Sequence, residues 1–276
     1  MNDPITEVRS ALAAGRVIPY IGPGVLAAAG ADLPSNLPTL AEILSSRVSV
    51  PHKIRKNFTA VAQYIENFKH RKSLKAVLND LFSVATPVPE LMKTLAGMDL
   101  PMIVNLWYDN TLAQALKDQA SWGRIQGFSQ SEHYGQWYGF YQPDGTATDA
   151  ATAESWTTVL YEPWGSIVPD QNYLASDADF VEVLTEIDIQ TPIPQIVQDR
   201  RKDRGFLFLG CRFDDQLQRT FARQIMKRSS NRHWAVIEGE LTKKEARFLE
   251  EQGIERLDIS LAEVLNGALT DEAVPA

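Results

Sequence analysis

Phe206-Leu207-Phe208-Leu209-Gly210-Cys211-Arg212-Phe213-Asp214-Asp215 is the stretch on which the fold turns. Four successive large apolar residues describe a strand covered on both faces, as in the interior of a parallel sheet. Gly210 ends the strand, and Asp214 or Asp215 is placed to cap a helix. The next residues, Gln216–Lys227, have the spacing of an amphipathic helix. A strand over Trp234–Ile237 follows. Thr242-Lys243-Lys244-Glu245 reads as a capping box opening another helix, which leads to a strand over Glu255–Ile259 and a closing helix over Leu261–Asn266. Strands and helices alternating at this spacing require right-handed crossovers and a helix-covered parallel sheet. The fold class predicted is therefore α/β, a doubly wound Rossmann-like sheet.

Working back toward the N-terminus, helices are expected over Asp177–Ile187 and Ile193–Lys202, and a strand over Trp156–Tyr161. Residues 121–155 are rich in Gly, Ser and aromatics (Trp122, Phe128, Tyr134, Trp137, Tyr138, Phe140, Tyr141) and read as an aromatic loop region. A strand over Met102–Trp107 and a helix over Asn110–Gln119 precede it. Leu40, Ile43, Leu44 and Val48 form one helical stripe, and Phe58, Val61, Ala62, Ile65 and Phe68 another. The segment from about residue 36 to 98 is thus expected as a helical insertion after the first strand. That strand is Val17-Ile18-Pro19-Tyr20-Ile21, preceded by a helix over Pro4–Ala14. A single domain over residues 1–276 accommodates all of this.

The balance of charge narrows the function classes. Asp and Glu exceed Lys and Arg, for a formal charge of −8, which argues against general binding to nucleic acid or to an anionic membrane. Basic residues crowd only between Arg200 and Arg232, read as a solvated helical face or, second, an anion site. Cys211 is the one cysteine, so an intramolecular disulfide and a multi-thiolate zinc site are both excluded, and a reducing cytoplasm fits. Met1–Ser10 is polar and acidic, unlike a signal peptide. The apolar run Val17–Ala31 is broken by Pro19 and Pro23 and is too short to span a bilayer. Oligomeric state is left open.

Ligands of doubly wound sheets bind where strands end at their carboxyl edge. Four such ends carry unusual residues. Gly22-Pro23-Gly24 would let a pyrophosphate approach the backbone, although Pro23 lacks an N–H; a tight strand-to-helix turn explains it equally. Asp109, in Trp107-Tyr108-Asp109-Asn110, caps a helix or bonds a ribose. Glu162-Pro163-Trp164-Gly165-Ser166 is the third end, and Gly210-Cys211 the fourth, with Cys211 expected as a packed thiol rather than a nucleophile. None of His52, His70, His133 and His233 has a metal-ligand spacing. His52 and His70 are expected at the surface, and His133, among aromatics, is the one with a functional reading.

In order and spacing, these four ends resemble the sirtuin-like family of NAD-consuming domains, in particular its bacterial branch. Gly22-Pro23-Gly24-Val25-Leu26 is similar to the family's G-A-G-x-S, and Asn105-Leu106-Trp107-Tyr108-Asp109 to T-T-N-Y-D. Glu162-Pro163-Trp164-Gly165-Ser166 is similar to K-L-H-G-S, and Phe208–Asp215 to F-L-G-Y-S-L-x-D. Leu174–Phe180 resembles the stretch that follows the third motif. The resemblance implies a pocket for NAD or ADP-ribose held by Gly22, Pro23, Gly24, Tyr108, Asp109, Gly165, Ser166, Gly210, Cys211 and Asp214, without a metal.

The departures bear on catalysis. In the family, an Asn acts at the nicotinamide ribose and a His is the general base; Trp107 and Trp164 stand at those positions here, and an indole cannot accept a proton near neutral pH. Either the chain is a degenerate member that binds an adenine-containing nucleotide or a protein partner in a regulatory or accessory role, or it is an active NAD glycohydrolase of the bacterial antiphage type using Asn105, His133 or another loop-supplied base. A deacylase is disfavoured, because the family's deacylases carry a four-cysteine zinc module. Glu66–Lys72 and Phe221–Arg228 are also similar to short sirtuin-like proteins of nitrogen-fixing bacteria, which suggests a context and not a reaction.

Overall fold

The computed structural model describes residues 3–269. In chain order the first elements are α1 (Pro4–Ala13), β1 (Val17–Ile21), α2 (Gly24–Ala28), α3 (Leu37–Arg47), α4 (Phe58–Lys69), α5 (Arg71–Phe82), α6 (Glu90–Ala96) and β2 (Met102–Asn105). There follow α7 (Thr111–Leu116), β3 (Trp122–Gly127), β4 (Tyr138–Tyr141), β5 (Ala147–Thr148), α8 (Ala150–Ala153), β6 (Thr158–Glu162), β7 (Gly165–Ser166) and β8 (Asn172–Tyr173). The last third holds α9 (Asp177–Ile187), α10 (Gln195–Arg200), β9 (Gly205–Leu209), α11 (Gln216–Met226), β10 (His233–Val236), α12 (Lys243–Gln252), β11 (Ile254–Arg256) and α13 (Leu261–Leu265).

Nine strands form one sheet in the order β11-β10-β9-β1-β2-β6-β3-β4-β5. From β11 to β3 all neighbours run parallel, and β4 and β5 add an antiparallel edge. This is the expected Rossmann-like parallel sheet. Strand alternation divides the core cleanly in two. Ile18, Tyr20, Val104, Tyr161, Phe206 and Phe208 face the layer holding α3, α4, α5, α9 and α11. Val17, Ile21, Ile103, Leu160, Leu207 and Leu209 face α1, α2, α6, α7 and α13. The helices between β1 and β2 sit where the insertion was expected. The capping box of Thr242 and Glu245 is present, and a second, of Ser176 and Asp179, opens α9.

One segment departs from the sequence reading. Residues 121–155 are not an aromatic loop throughout, because they contribute β3 to the parallel part of the sheet and β4 and β5 to its edge. The six residues of β3, Trp-Gly-Arg-Ile-Gln-Gly, are all buried, yet their polar content hides the strand. Arg124 and Gln126 are tolerated inside because both are fully engaged: Arg124 with Glu162 on β6, and Gln126 Nε2 with the carbonyls of Ser166 at 3.1 Å and of Asp170. Gly123 and Gly127 leave room for the Trp156 ring and the Pro163 carbonyl. Smaller shifts also occur: β2 stops at Asn105, β6 begins at Thr158 and β11 is displaced to Ile254–Arg256. Among the described residues, no helix is long and apolar enough to cross a membrane.

Candidate functional site

The strand order reverses at β1, which has β2 on one side and β9 on the other. A doubly wound sheet offers its ligand crevice at such a point. Here the turns leaving β1 and β9 meet backbone to backbone. Gly22 donates its N–H to Leu209 O at 2.8 Å, Gly24 to Gly210 O at 3.0 Å, and Val25 to Gly22 O at 3.3 Å. A Cβ on Gly22 or Gly24 would lie 2.5 or 2.8 Å from Gly210 O, and one on Gly210, where φ is +66°, would lie 2.4 Å from Val25 N. The contact between the turns therefore accounts for all three glycines. The amides that would cradle a pyrophosphate are already bonded, and Pro23 has none to offer. Cys211 packs beneath, its Sγ donating to Tyr20 O at 3.7 Å. Burial pushes the thiol up, away from a reactive thiolate.

The ends of β2 and β6 are closed by rings. Trp107 and Trp164 are each 1% exposed. Trp107 stacks on Tyr108 at 5.4 Å and meets Phe82 of α5 edge-on at 5.8 Å. Trp164 stands edge-on to Phe180 of α9 at 5.3 Å and to Phe221 of α11 at 5.7 Å. Both indole N–H groups are buried without an acceptor, which costs about 1–3 kcal/mol each and is outweighed by the large apolar area the rings bury. Asn105, Tyr108, Asp109 and Ser166 come together as a buried group bonded mainly to itself. Asn105 Nδ2 donates to Asp109 O at 3.4 Å, and Ser166 Oγ lies 3.4 Å from the carbonyls of Tyr108 and Asp109. Tyr108 Oη donates to Leu174 O at 2.6 Å. Gly165 has a φ of +86°, and a Cβ there would strike Asn172 O at 2.1 Å, so the β7–β8 hairpin demands the glycine.

Asp109 stands one residue before Asn110, the N-cap of α7, and so is not itself the cap. Its Oδ1 accepts from Thr111 N at 2.9 Å and from the Thr111 hydroxyl, ordering the entry to α7. Burial raises its pKa, opposed by the Thr111 hydrogen bonds. Behind it lies a pair that sequence reasoning missed. Arg124 clasps Glu162 through Nε–Oε2 at 3.0 Å and Nη2–Oε1 at 2.8 Å, with Nη1 on Asn110 Oδ1 at 3.1 Å. Two charges on separate, distant strands leave no signal in one chain.

Arg212, also missed, lies across the ends of β9 and β10. Its guanidinium holds Glu245 at 2.8 and 2.9 Å and the carbonyls of Glu238 and Glu240 at 3.1 Å each. Glu245 is pulled down to about 2: burial alone would raise it, but hydrogen bonds from Arg212, Thr242 and Phe213 prevail. Of the two aspartates beyond it, Asp215 caps α11 through Leu217 N at 2.7 Å, while Asp214 is exposed. Beside them opens a groove of about 910 Å³ where the first turns of α3, α4, α9 and α11 meet, with Lys56, Phe180, Arg212 and Asp214 on its walls.

The imidazoles lie elsewhere. His133 pairs with Asp170 at 2.9 Å and stacks on Phe128 at 4.1 Å, and no hydrogen bond joins it to Asn105. His52 and His70 are exposed, as expected. His233 is buried, accepts from Phe206 N at 3.0 Å, and is lowered to about 4 by that burial. Among the described residues no group of three or more His, Cys, Asp or Glu could hold a metal. Several residues of the basic segment act as carbonyl clamps instead of forming a solvated face. Arg200 reaches Trp156 O and Thr157 O, Arg201 reaches Gln224 O and Ile225 O, and Arg204 reaches Gly15 O.

A search of curated proteins finds no match. A family model described as a SIR2-like domain matches residues 101–257, more than half of the chain. The match runs from the residue before β2 to the one following β11, and so takes in the ends of β2, β6, β9 and β10. With a parallel sheet that reverses at β1 and that match over its larger part, the chain belongs to the SIR2-like domain family.

Proposed function

We propose that this chain is a non-catalytic SIR2-like protein that works by binding, with an adenine-containing nucleotide such as NAD or ADP-ribose as its ligand and a regulatory or accessory role. The observation that carries this reading is the state of Trp107 and Trp164. At the positions where the family's motifs place an amide and an imidazole, both indoles are sealed among Phe82, Tyr108, Phe180 and Phe221. They fill the volume a nicotinamide would need and supply no base. A NAD glycohydrolase would use Asn105, His133 or another loop-supplied base, and neither of the two named residues is poised for that role. Asn105 is buried and bonded to Asp109 O, while His133 is engaged by Asp170 in the loop after β3.

The groove beside Asp214 supports nucleotide binding best. It is open, about 910 Å³ in volume, and carries Lys56 on its wall, together with Arg212, which Glu245 already holds, and the carboxylates Glu42, Asp177, Asp214 and Asp215. The crevice at β1, in contrast, is closed by the Gly24–Gly210 contact. NAD-related function follows from the family, and binding without turnover is the form of it these residues support.

The test is direct. Purified protein incubated with NAD should release no nicotinamide, while calorimetry should detect NAD and ADP-ribose. Lys56→Glu should weaken both, since it reverses the charge of a cation on the groove wall. Nicotinamide release that disappears in Asn105→Ala would overturn the reading in favour of the hydrolase.

A further inference from the structure

A second cavity, of about 580 Å³, opens on the other side of the Asp109 cluster, between the end of α5 and the start of α7. It shares no lining residue with the groove beside Asp214. Its floor is Asp109, Thr111, Phe82 and Ile167, all buried, and its rim includes Val84 and Val168, which are exposed apolar residues. Asn110, Gln114 and Gln171 supply amides around the mouth.

The charge balance of this cavity is unusual. Asp109 is 4% exposed, yet among the described residues no cation forms an ion pair with it. The nearby Arg124 is engaged with Glu162 through two hydrogen bonds, and its Nη1 donates to Asn110 Oδ1. Both bonds from Thr111 fall on Asp109 Oδ1, and Oδ2 is bonded to no other residue among those described. No lining residue is Lys, Arg or His, and Asp80 at the rim is already paired with Arg47 at 2.9 Å. Asp109 thus lacks a paired cation and burial raises its pKa, so a cation seated against the carboxylate is what would hold it ionised in this cavity. A phosphate would find no cation among the lining residues.

We propose that this cavity binds a small organic cation, an amine or guanidine on an apolar stem, with Asp109 Oδ2 as its counter-ion and Phe82, Ile167 and Val168 against the stem. A desolvated carboxylate gives a charge-assisted hydrogen bond about twice as strong as a neutral one. The apolar floor and rim bury the stem, and the amides at the mouth solvate its outer end. The site does not depend on nucleotide binding, because its residues and the polarity it selects are different.

The experiment uses the full chain with propylguanidine and its neutral isostere propylurea, followed by ligand-observed NMR and calorimetry. Propylguanidine should bind about tenfold or more tightly than propylurea. Asp109→Asn keeps an acceptor for Thr111 and should abolish that preference. Gln114→Lys, on an exposed rim position that leaves the fold intact, should weaken the guanidine alone by charge repulsion. This second variant decides the matter if Asp109→Asn does not fold. Equal binding of the two probes, no binding of propylguanidine at millimolar concentration, a preference for inorganic phosphate, or a preference unchanged in Gln114→Lys would each overturn the proposal.

Discussion

Gly24 gives its backbone N–H to the carbonyl of Gly210 at 3.0 Å, and with that bond the turn after β1 and the turn after β9 close on each other. The crevice that a doubly wound sheet opens at its switch point is occupied by the protein's own backbone. The glycines that look like a phosphate cradle in sequence are required by this mutual approach, whether or not a nucleotide binds elsewhere.

Gly210→Ala should therefore destabilise the fold by about 2–4 kcal/mol, combining a left-handed conformation with a clash on Val25 N. Gly30→Ala is the control: φ there is +79°, but no atom lies within 4 Å of the added Cβ. It should cost only the conformational part, about 1–2 kcal/mol. Denaturant unfolding of the two variants measures the difference, and equal losses would mean that the contact between turns contributes nothing.

Trp164→Ala should lose about 3–5 kcal/mol, the range for emptying a large aromatic site in a packed core. Trp164→His puts an imidazole in place of the indole between Phe180 and Phe221. It should show lowered thermal stability and no nicotinamide release from NAD. Release in that variant would mean that the indole alone blocks an otherwise competent site.

His233 sets a pH window for stability. Its folded-state pKa of about 4 lies below the ordinary value of 6.5, because burial disfavours the imidazolium. The unfolded chain then binds the extra proton more readily. The contribution is fully present above pH 6.5 and is lost as pH falls from there toward about 4. His233→Gln, which can still accept from Phe206 N, should flatten the unfolding free energy across that window. Chemical denaturation at intervals between pH 7 and pH 4 provides the check.

The parts of the molecule that were legible in sequence are those governed by local rules. Phe206–Leu209, the Thr242–Glu245 capping box and the helical stripes of the insertion each carry a periodic or capping signal within a few residues. β3 was illegible because Arg124 and Gln126 are buried, and only the pairing with Glu162 and the Ser166 carbonyl makes that tolerable. The Arg212–Glu245 clasp was hidden because its partners lie 33 residues apart in sequence. At the candidate site, the residue types at each strand end could be read, but not what they touch. Trp107 and Trp164 could be read at two strand ends, while Phe82 and Phe221, the rings that seal them, come from helices distant in sequence.

The Arg124–Glu162 pair offers the sharpest test of how much the polar interior depends on exact partnership. Both side chains are almost entirely buried, and the guanidinium meets the carboxylate with two parallel hydrogen bonds. Removing one member strands a charge. Glu162→Gln should therefore cost about 3–5 kcal/mol. Arg124→Met alone should cost a comparable amount, since Glu162 is then left beside Asp109 without a cation. Removing both charges together, with Arg124→Met and Glu162→Leu, eliminates the desolvation penalty along with the attraction, so the double variant should be closer to the parent than either single one. Unfolding free energies of the four proteins close the cycle, and a double variant at the sum of the single losses would mean that the two residues stabilise the sheet independently.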